Sequence, residues 1–274
     1  MPELPEVENV KNGLTKLIIG KKIMAVDILW NNIIKDPSVE VFRRELEGET
    51  FREIKRRGKF LLFVLDNYTL ISHLRMEGKF RLESSGQNRT KHTHVIFKLD
   101  NNEELRYLDV RKFGRMSLVA HSDLQMHPSL THLGPEPVEN NLLKSHLEHK
   151  FKKTSRPIKA VLLDQSIVAG IGNIYADEIL FLSGIYPGRL AVDLSEEDIV
   201  ILHQSILQIM AEAVNSGGTT IRTYSNAYGL EGSYQNKLKV YGKAGEACSR
   251  CGHTIEKTKI AQRGTHYCPS CQVH

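Results

Sequence analysis

The sequence predicts an α+β chain of several domains: an N-terminal helix leading into a β-sandwich, a helical region, and a C-terminal four-cysteine zinc finger. Three observations predict it. Apolar residues recur at helical spacing directly after two N-terminal prolines. From about residue 22 to 119 that spacing gives way to short runs of β-branched and aromatic residues. All four cysteines lie in the last 27 residues, as two Cys-x2-Cys pairs.

Val7, Val10, Leu14, Leu17 and Ile18 follow the period of an amphipathic helix. Pro5 is suited to begin it, because its ring presets a helical φ and its missing N–H has no partner to lose in the first turn. Phe60 to Leu65, His94 to Leu99 and Glu104 to Val110 read as strands, the last two joined by an Asp100-Asn101-Asn102 turn. An antiparallel sandwich or barrel-like sheet accommodates them. Gly134-Pro135-Glu136-Pro137 punctuates the chain and marks a domain boundary; the expected domains are 1–133, 134–234 and, for the cysteine-bearing finger, 235–274. From Asn140 to about Ser216 the pattern is helical, with Ile199, Leu202, Ile206, Ile209 and Met210 on one face and Gly217-Gly218 as the stop. Thr223 to Asn236 has few core-forming residues and reads as a long loop, a kind of segment that usually serves function.

Composition narrows the partners. Charged residues make up 25% of the 274 and apolar ones 41%, the balance of a soluble globular protein. The net charge of +5 and pI near 8.9 lean towards a polyanion. The longest apolar runs, such as Phe60 to Leu65, are far too short to span a bilayer. The N-terminus carries acids and prolines rather than a basic stretch and an apolar run, so no secretory signal is expected. Clustered cysteines without others to pair suit a metal site in a reducing compartment.

Two features carry chemistry directly. The opening Met1-Pro2-Glu3-Leu4-Pro5-Glu6 would expose a secondary amine beside carboxylates once the initiator methionine is removed. An N-terminal amine titrates near pH ~8, so part of it is unprotonated near neutrality and able to attack a carbonyl-like carbon. Met-Pro is also an ordinary way for a protein to begin. At the other end, Cys248, Cys251, Cys268 and Cys271, with sixteen residues between the pairs, have the spacing of a tetrahedral zinc ribbon. Four thiolates leave no open coordination position, so the zinc is structural. Seven basic residues (Lys237, Lys239, Lys243, Arg250, Lys257, Lys259, Arg263) against Glu246 and Glu256 favour nucleic acid as the ribbon's contact over protein.

Further basic stretches interleave cations with apolar residues and glycine. They are Arg52 to Lys59, Ser72-His73-Leu74-Arg75-Met76-Glu77-Gly78-Lys79-Phe80, and Asp109-Val110-Arg111-Lys112-Phe113-Gly114. Cations neutralise phosphates, and residues such as Met76 and Phe113 can wedge into a base stack. Singly, each stretch also fits a strand edge. Gly170-Ile171-Gly172-Asn173-Ile174-Tyr175 is a glycine-rich turn able to present backbone N–H groups and Asn173 to a phosphate, or simply to let helices pack closely.

Together these stretches, with Pro2 to Glu8, Arg57-Gly58-Lys59 and Gly264-Thr265-His266-Tyr267-Cys268, resemble the formamidopyrimidine-DNA glycosylase family over essentially the whole chain. The resemblance implies an N-terminal β-sandwich, a helix–two-turn–helix domain and a zinc finger, with DNA held between the lobes. It implies a monomer acting on double-stranded DNA that contains oxidised purines or abasic sites, in the bacterial cytoplasm at the nucleoid, with one structural zinc ion. The damaged base is flipped out, since its sugar carbon is unreachable inside the stack. Pro2 is then the nucleophile at C1′, Glu3 the acid/base partner, and Glu6 a group that positions the amine or moves its protons. Lys59 and Arg263 serve the two eliminations that cut the strand, or grip phosphates. His73, His92, Lys153, Lys159 and Asn173 fall at DNA contacts. Met76, Arg111 and Phe113 fill the gap left by the flipped base, with the Arg111 fork suited to an orphaned cytosine. The stretch from about Thr219 to Tyr241 would hold the extruded lesion.

Two alternatives stand beside this. An endonuclease VIII-like enzyme for oxidised pyrimidines shares the N-terminal Pro-Glu, but typically has glycine at the position of Leu4 and lacks the Met76, Arg111 and Phe113 set. A non-catalytic zinc-ribbon DNA-binding protein would not depend on its N-terminus.

Overall fold

A computed structural model describes residues 1–219 and 232–273, and the chain divides into two compact units. One comprises Met1–Thr131 with Thr219–Gly232; the other comprises His132–Gly218 with Ser233–His274.

In the first unit, helix α1 (Leu4–Ile18) buries Val7, Val10, Leu14 and Ile18, the residues that the period picked out. Each such side chain withdrawn from water contributes roughly 1.5–3 kcal/mol. The helix packs on β3 (Glu53–Arg57) and β4 (Phe60–Val64) of a five-stranded sheet. That sheet also contains β2 (Ile34–Asp36), β5 (Tyr68–His73) and β9 (Arg115–Ala120), in the order β2-β9-β5-β4-β3. The second sheet, ordered β1-β7-β8-β6, is built from β1 (Ile23–Ile28), β6 (Lys79–Ser84), β7 (Thr93–Leu99) and β8 (Glu103–Leu108). Phe63 of one sheet meets Phe80 of the other with ring centres 5.2 Å apart, and both belong to one continuous core. This is the expected sandwich.

Three details depart from the expectation. Strand β2 pairs with β9 in parallel, so the sheet is not wholly antiparallel. Helix α2 (Val39–Leu46) interrupts the strand region. Its β-branched composition reads as strand, but Ser38 caps it by accepting from the Val41 N–H, and Phe42 and Leu46 bury one face. Tertiary burial outweighs propensity there. Strand β8 ends at Leu108 rather than Val110, because Asp109 turns inward and takes up the N–H groups of the following loop. A short helical turn, α3 (Pro128–Thr131), closes the unit.

The second unit contains α4 (Lys144–Phe151), α5 (Ile158–Leu162), α6 (Asn173–Leu182) and α7 (Glu196–Asn215). Ser195 and Asp198 form a capping box at the start of α7, and Gly217 at φ +71° ends it. The finger hairpin pairs β10 (Glu256–Ile260) with β11 (Arg263–Tyr267). Its two-residue turn, Ala261-Gln262, holds φ of +48° and +61°, the geometry that matches strand twist.

Of the stretch expected to hold a lesion, residues 220–231 lie outside the described residues, whereas Tyr234–Lys237 form a 3-10 turn. The chain beyond it is fixed by Glu178 of α6, whose carboxylate accepts the N–H groups of Lys239, Val240 and Tyr241 at 2.8, 3.0 and 2.8 Å. Burial pushes that carboxyl above its usual range, against the pull of the three donors. Among the described residues, no helix is long and apolar enough to cross a membrane.

Replacing Glu178 by alanine orphans three donors at once. The expected loss is on the order of 3 kcal/mol of stability, read as a lower urea midpoint; an unchanged midpoint would show that the anchor is dispensable.

Candidate active site and nucleic-acid interface

The N-terminus is folded into the sandwich unit rather than trailing from it. Pro2 is buried, and Glu3 and Glu6 are 2% and 4% exposed. Helical geometry brings Glu6 back over the first turn, where its Oε2 accepts the Glu3 N–H at 2.8 Å. Oε1 accepts the Thr219 N–H at 2.7 Å and its hydroxyl at 3.1 Å. Both oxygens are thus engaged, which fixes the start of α1 and sets the direction of Pro2 and Glu3. The helix dipole favours carboxylates at this end.

Arg56 of β3 links that helix to the Gly58-Lys59 turn. Its Nε donates to Glu8 Oε2 at 2.7 Å and its Nη1 to the Gly58 carbonyl at 3.1 Å. Burial would raise the Glu8 carboxyl, but hydrogen bonds from Lys11 and Arg56 outweigh it and hold the group below its usual range. Lys59 is buried beside this joint, at the turn between β3 and β4. Pro2, Glu3, Glu6 and Lys59 are therefore all positioned by one helix and the hairpin against it.

His73 ends β5. Its Nδ1 accepts the Arg75 N–H at 3.0 Å, which assigns the ring proton to Nε2. Burial, together with the charges of Arg75 and Lys59, pushes its pKa down to about 3, so the ring is a neutral N–H donor near neutrality. A cavity of about 280 Å³ opens beside it, lined by Lys35, Arg75, Arg115 and Ser117 among others and by no carboxylate. That lining suits an anion.

Met76 and Phe113 sit in two loops at one end of the sandwich, 39% and 47% exposed. Each directly follows a left-handed residue, Arg75 at φ +55° and Lys112 at +58°, a backbone state that costs a side-chain-bearing residue ~1–2 kcal/mol. The guanidinium of Arg111 lies 4.7 Å over the Phe113 ring, and the Lys112 ammonium 3.9 Å over Trp30. The loop is thereby clamped from both sides while Arg111 and Phe113 stay in solvent. His92, half-buried, gives its carbonyl to the Asp109 N–H at 3.0 Å, so it borders the same loop.

In the second unit the structure corrects one expectation. Lys159, expected at a DNA phosphate, is 0% exposed. Its ammonium reaches Asp177 Oδ1 at 2.7 Å, Thr265 Oγ1 at 2.8 Å and the Gly264 carbonyl at 2.9 Å. Three donors have three internal acceptors, and no phosphate can approach. The reason is Asp177, which stands in an apolar helix and, being wholly buried, requires a cation. Its other oxygen accepts the His266 N–H at 2.9 Å. Asn173 adds a bond from Nδ2 to the Gly264 carbonyl at 3.0 Å. Lys159, Asp177 and Asn173 consequently brace β11 just behind Arg263, which is exposed at its first position. Lys153, in the turn after α4, is exposed as a phosphate contact requires.

The four cysteines form one cluster, with every sulfur within 4.8 Å of the others. Cys248 and Cys271 are 3.9 Å apart, and Cys251 and Cys268 are 3.5 Å apart. A zinc ion with Zn–S bonds of about 2.3 Å has sulfur–sulfur edges of about 3.8 Å, so the cluster fits one structural zinc. Phe181, Val240 and Ile255 pack around it. Arg250 lies 4.5 Å over the Phe181 ring and donates to the Phe181 carbonyl at 3.3 Å, joining the finger to the end of α6.

A four-cysteine cluster, a helical unit and a sandwich unit that starts on a buried proline followed by buried Glu3 and Glu6 are the parts that the sequence resemblance implied for a zinc-finger DNA glycosylase. Three family models match in order: the formamidopyrimidine-DNA glycosylase N-terminal domain over residues 1–116, its H2TH domain over 133–225, and the zinc finger found in FPG and IleRS over 245–273. The formamidopyrimidine-DNA glycosylase of Enterococcus faecalis is 49% identical over 99% of this chain and 97% of its own length. That of Geobacillus kaustophilus is 50% identical over 99% and 100%. A mutant of Lactococcus lactis FPG, solved in complex with a Fapy-dG containing DNA, superposes with a TM-score of 0.95 at 44% identity, over all of both chains. The Lactococcus lactis Fpg complex with abasic-site DNA gives the same TM-score and identity over 99% and 100%. The chain belongs to the formamidopyrimidine-DNA glycosylase family.

Residue patterns alone missed Tyr107 and the roles of Asp109, Asp177 and Glu178. A signal for the last two existed: adjacent acids inside the apolar run Ile174 to Leu182 mark buried charge that needs partners.

Two outcomes test this geometry. Unfolded His73 takes a proton below about pH 6.5 while the folded form stays neutral to about 3. Stability therefore falls as pH drops through that window, by on the order of 1 kcal/mol per pH unit. In urea titrations between pH 7.5 and 4.5, His73→Gln should lose less than wild type; equal losses would contradict the buried neutral ring. For the finger, Cys248→Ser should release zinc and weaken DNA binding at least tenfold, read by metal content and a binding titration. Full affinity without metal would remove the finger from the interface.

Proposed function

We propose that this chain is a bifunctional DNA glycosylase and abasic-site lyase of base-excision repair, acting as a monomer on oxidised purines such as 8-oxoguanine and formamidopyrimidines. The observation that carries the reading is Pro2 buried beside Glu3 and Glu6 at the start of α1, in a chain about 50% identical to formamidopyrimidine-DNA glycosylases over its full length. We place its domains at 1–133, 134–234 and 235–274, a division supported by the order of the three family models. The working compartment is the bacterial cytoplasm at the nucleoid, where reducing conditions keep four cysteines available for zinc.

The chemistry runs from the amine. In the encoded chain the Pro2 nitrogen is a peptide nitrogen bonded to Met1 and has no basic lone pair. Removal of Met1 frees a secondary amine, which attacks C1′ of the flipped nucleotide as the base departs with its bonding pair. Glu3 protonates the ring oxygen as the sugar opens, and the amine loses its proton to give an iminium ion. Glu6, with both oxygens engaged, orients this group rather than shuttling protons. Loss of a C2′ proton expels the 3′ phosphate, and a second elimination expels the 5′ phosphate. Water then releases the sugar fragment from Pro2.

Lys59, in the turn against α1, serves the first elimination, and Arg263, at the tip of the finger hairpin, the second. His73 donates from Nε2 to a phosphate, and His92, Lys153 and Asn173 contact the backbone. Met76, Arg111 and Phe113 enter the gap left by the flipped base. The stretch 219–241 holds the lesion.

Borohydride reduction of the iminium tests the mechanism. Wild-type protein lacking Met1 should become covalently linked to a duplex carrying 8-oxoguanine opposite cytosine, in preference to one carrying thymine glycol. Pro2→Gly, or a chain retaining Met1, should cut at least about a hundredfold more slowly, within the range that a positioned nucleophile and its proton partner supply. Efficient lesion cutting by the chain with Met1 in place would sink the mechanism.

A further inference from the structure

The structure assigns Tyr107 and Asp109 to one positioning unit that fixes the spacing of two separate loops, 75–78 and 111–114, so that Met76 enters the duplex together with Arg111 and Phe113. The inference rests on the proposal that these three residues fill the gap, and it adds what makes them act as one.

Tyr107 lies on the core side of β8 and is fully buried, so it cannot touch DNA. Phe80 packs edge-on against its ring at 5.1 Å, and Phe63 against Phe80 at 5.2 Å, which holds the phenol in one place. The phenol oxygen sits between two glycines, one in each loop. A Cβ on Gly78 or on Gly114 would overlap that oxygen and approach the ring Cζ to 2.9 or 2.6 Å. Both loops therefore close against the same atom, and neither can shift inward without moving it.

Asp109 completes the joint two residues further on. Its Oδ1 accepts the Arg111 N–H at 2.9 Å and its Oδ2 the Gly114 N–H at 2.8 Å, so one buried carboxylate ties the base of the 111–114 loop at both ends. The Tyr107 hydroxyl lies 3.5 Å from the same Oδ2. Asp109 is itself fixed, with its N–H on the His92 carbonyl at 3.0 Å and its carbonyl accepting from His94 Nε2 at 2.7 Å. The partner loop is closed by the Gly78 N–H on the Leu74 carbonyl at 2.9 Å. The two loops share a local design: a left-handed residue, the apolar residue directly after it, and a glycine one or two residues on, seated on Tyr107.

The test compares two single-turnover rates for each protein. One is excision of 8-oxoguanine opposite cytosine in a duplex. The other is cutting at an abasic site in a single-stranded oligonucleotide, which has no opposite base and no gap to fill. Tyr107→Phe, which removes one oxygen, and Asp109→Asn, which removes one acceptor, should each lower the duplex-to-single-strand ratio about tenfold. Each should also flatten the preference for cytosine over adenine opposite the lesion. A general folding defect lowers both rates together, and that result, like an unchanged ratio, overturns the positioning role. Met76→Ala and Phe113→Ala separate the two levels. If they leave the ratio unchanged, the gap-filling proposal itself fails; if they lower it while Tyr107→Phe and Asp109→Asn do not, only the coupling fails.

Discussion

A buried carboxylate cannot remain without donors, and this chain places its functional segments on that constraint. Glu6 collects the N–H groups of Glu3 and Thr219, Asp109 those of Arg111 and Gly114, and Glu178 those of Lys239, Val240 and Tyr241. Asp177 takes the His266 N–H and the Lys159 ammonium. For Glu6, Asp109 and Glu178 the backbone donors lie outside helices and strands, whereas Asp177 takes one from within β11 and one from a side chain. Charge-assisted bonds of this kind are shorter and stronger than neutral ones. Removing the acceptor leaves several orphans at once, so each anchor is worth more than a single surface pair.

The same constraint explains Lys159. An ammonium buried with Asp177 is poor evidence of net stability, because desolvating both ions offsets much of their attraction. What the pair provides is geometry: it fixes Gly264 and Thr265, and with them the strand that begins at Arg263. The finger is held from its far side by Arg250 on Phe181. A zinc ion in the thiolate cluster and an ion pair at the hairpin thus brace opposite ends of one small module.

Much of this was legible in the sequence where one period or one spacing dominates. The face of α1, the strands around Phe60 to Val64, the α7 stop at Gly217 and the four zinc ligands all follow from local pattern. Helix α2 was not, because Val39, Val41 and Phe42 favour a strand until Ser38 caps them and Phe42 and Leu46 find the core. Nor was the inward turn of Lys159, since nothing in residues 152–159 indicates that Asp177 waits across the fold. Tyr107 was invisible for a similar reason: its importance lies in two glycines, 29 residues before it and seven after it, that share its hydroxyl as a neighbour.

The stacking of Arg111 on Phe113 has a consequence for how the molecule behaves in bulk solution. An aromatic ring projecting from a loop is an adhesive point, and two copies meeting ring to ring would bury it. Here one face of the ring is covered by a permanent cation, with Lys112 adjacent and Arg75 in the neighbouring loop. Another molecule presenting the same surface meets like charge before it meets carbon. The guanidinium that holds the ring in its loop therefore also places like charge in the path of ring-to-ring contact between copies.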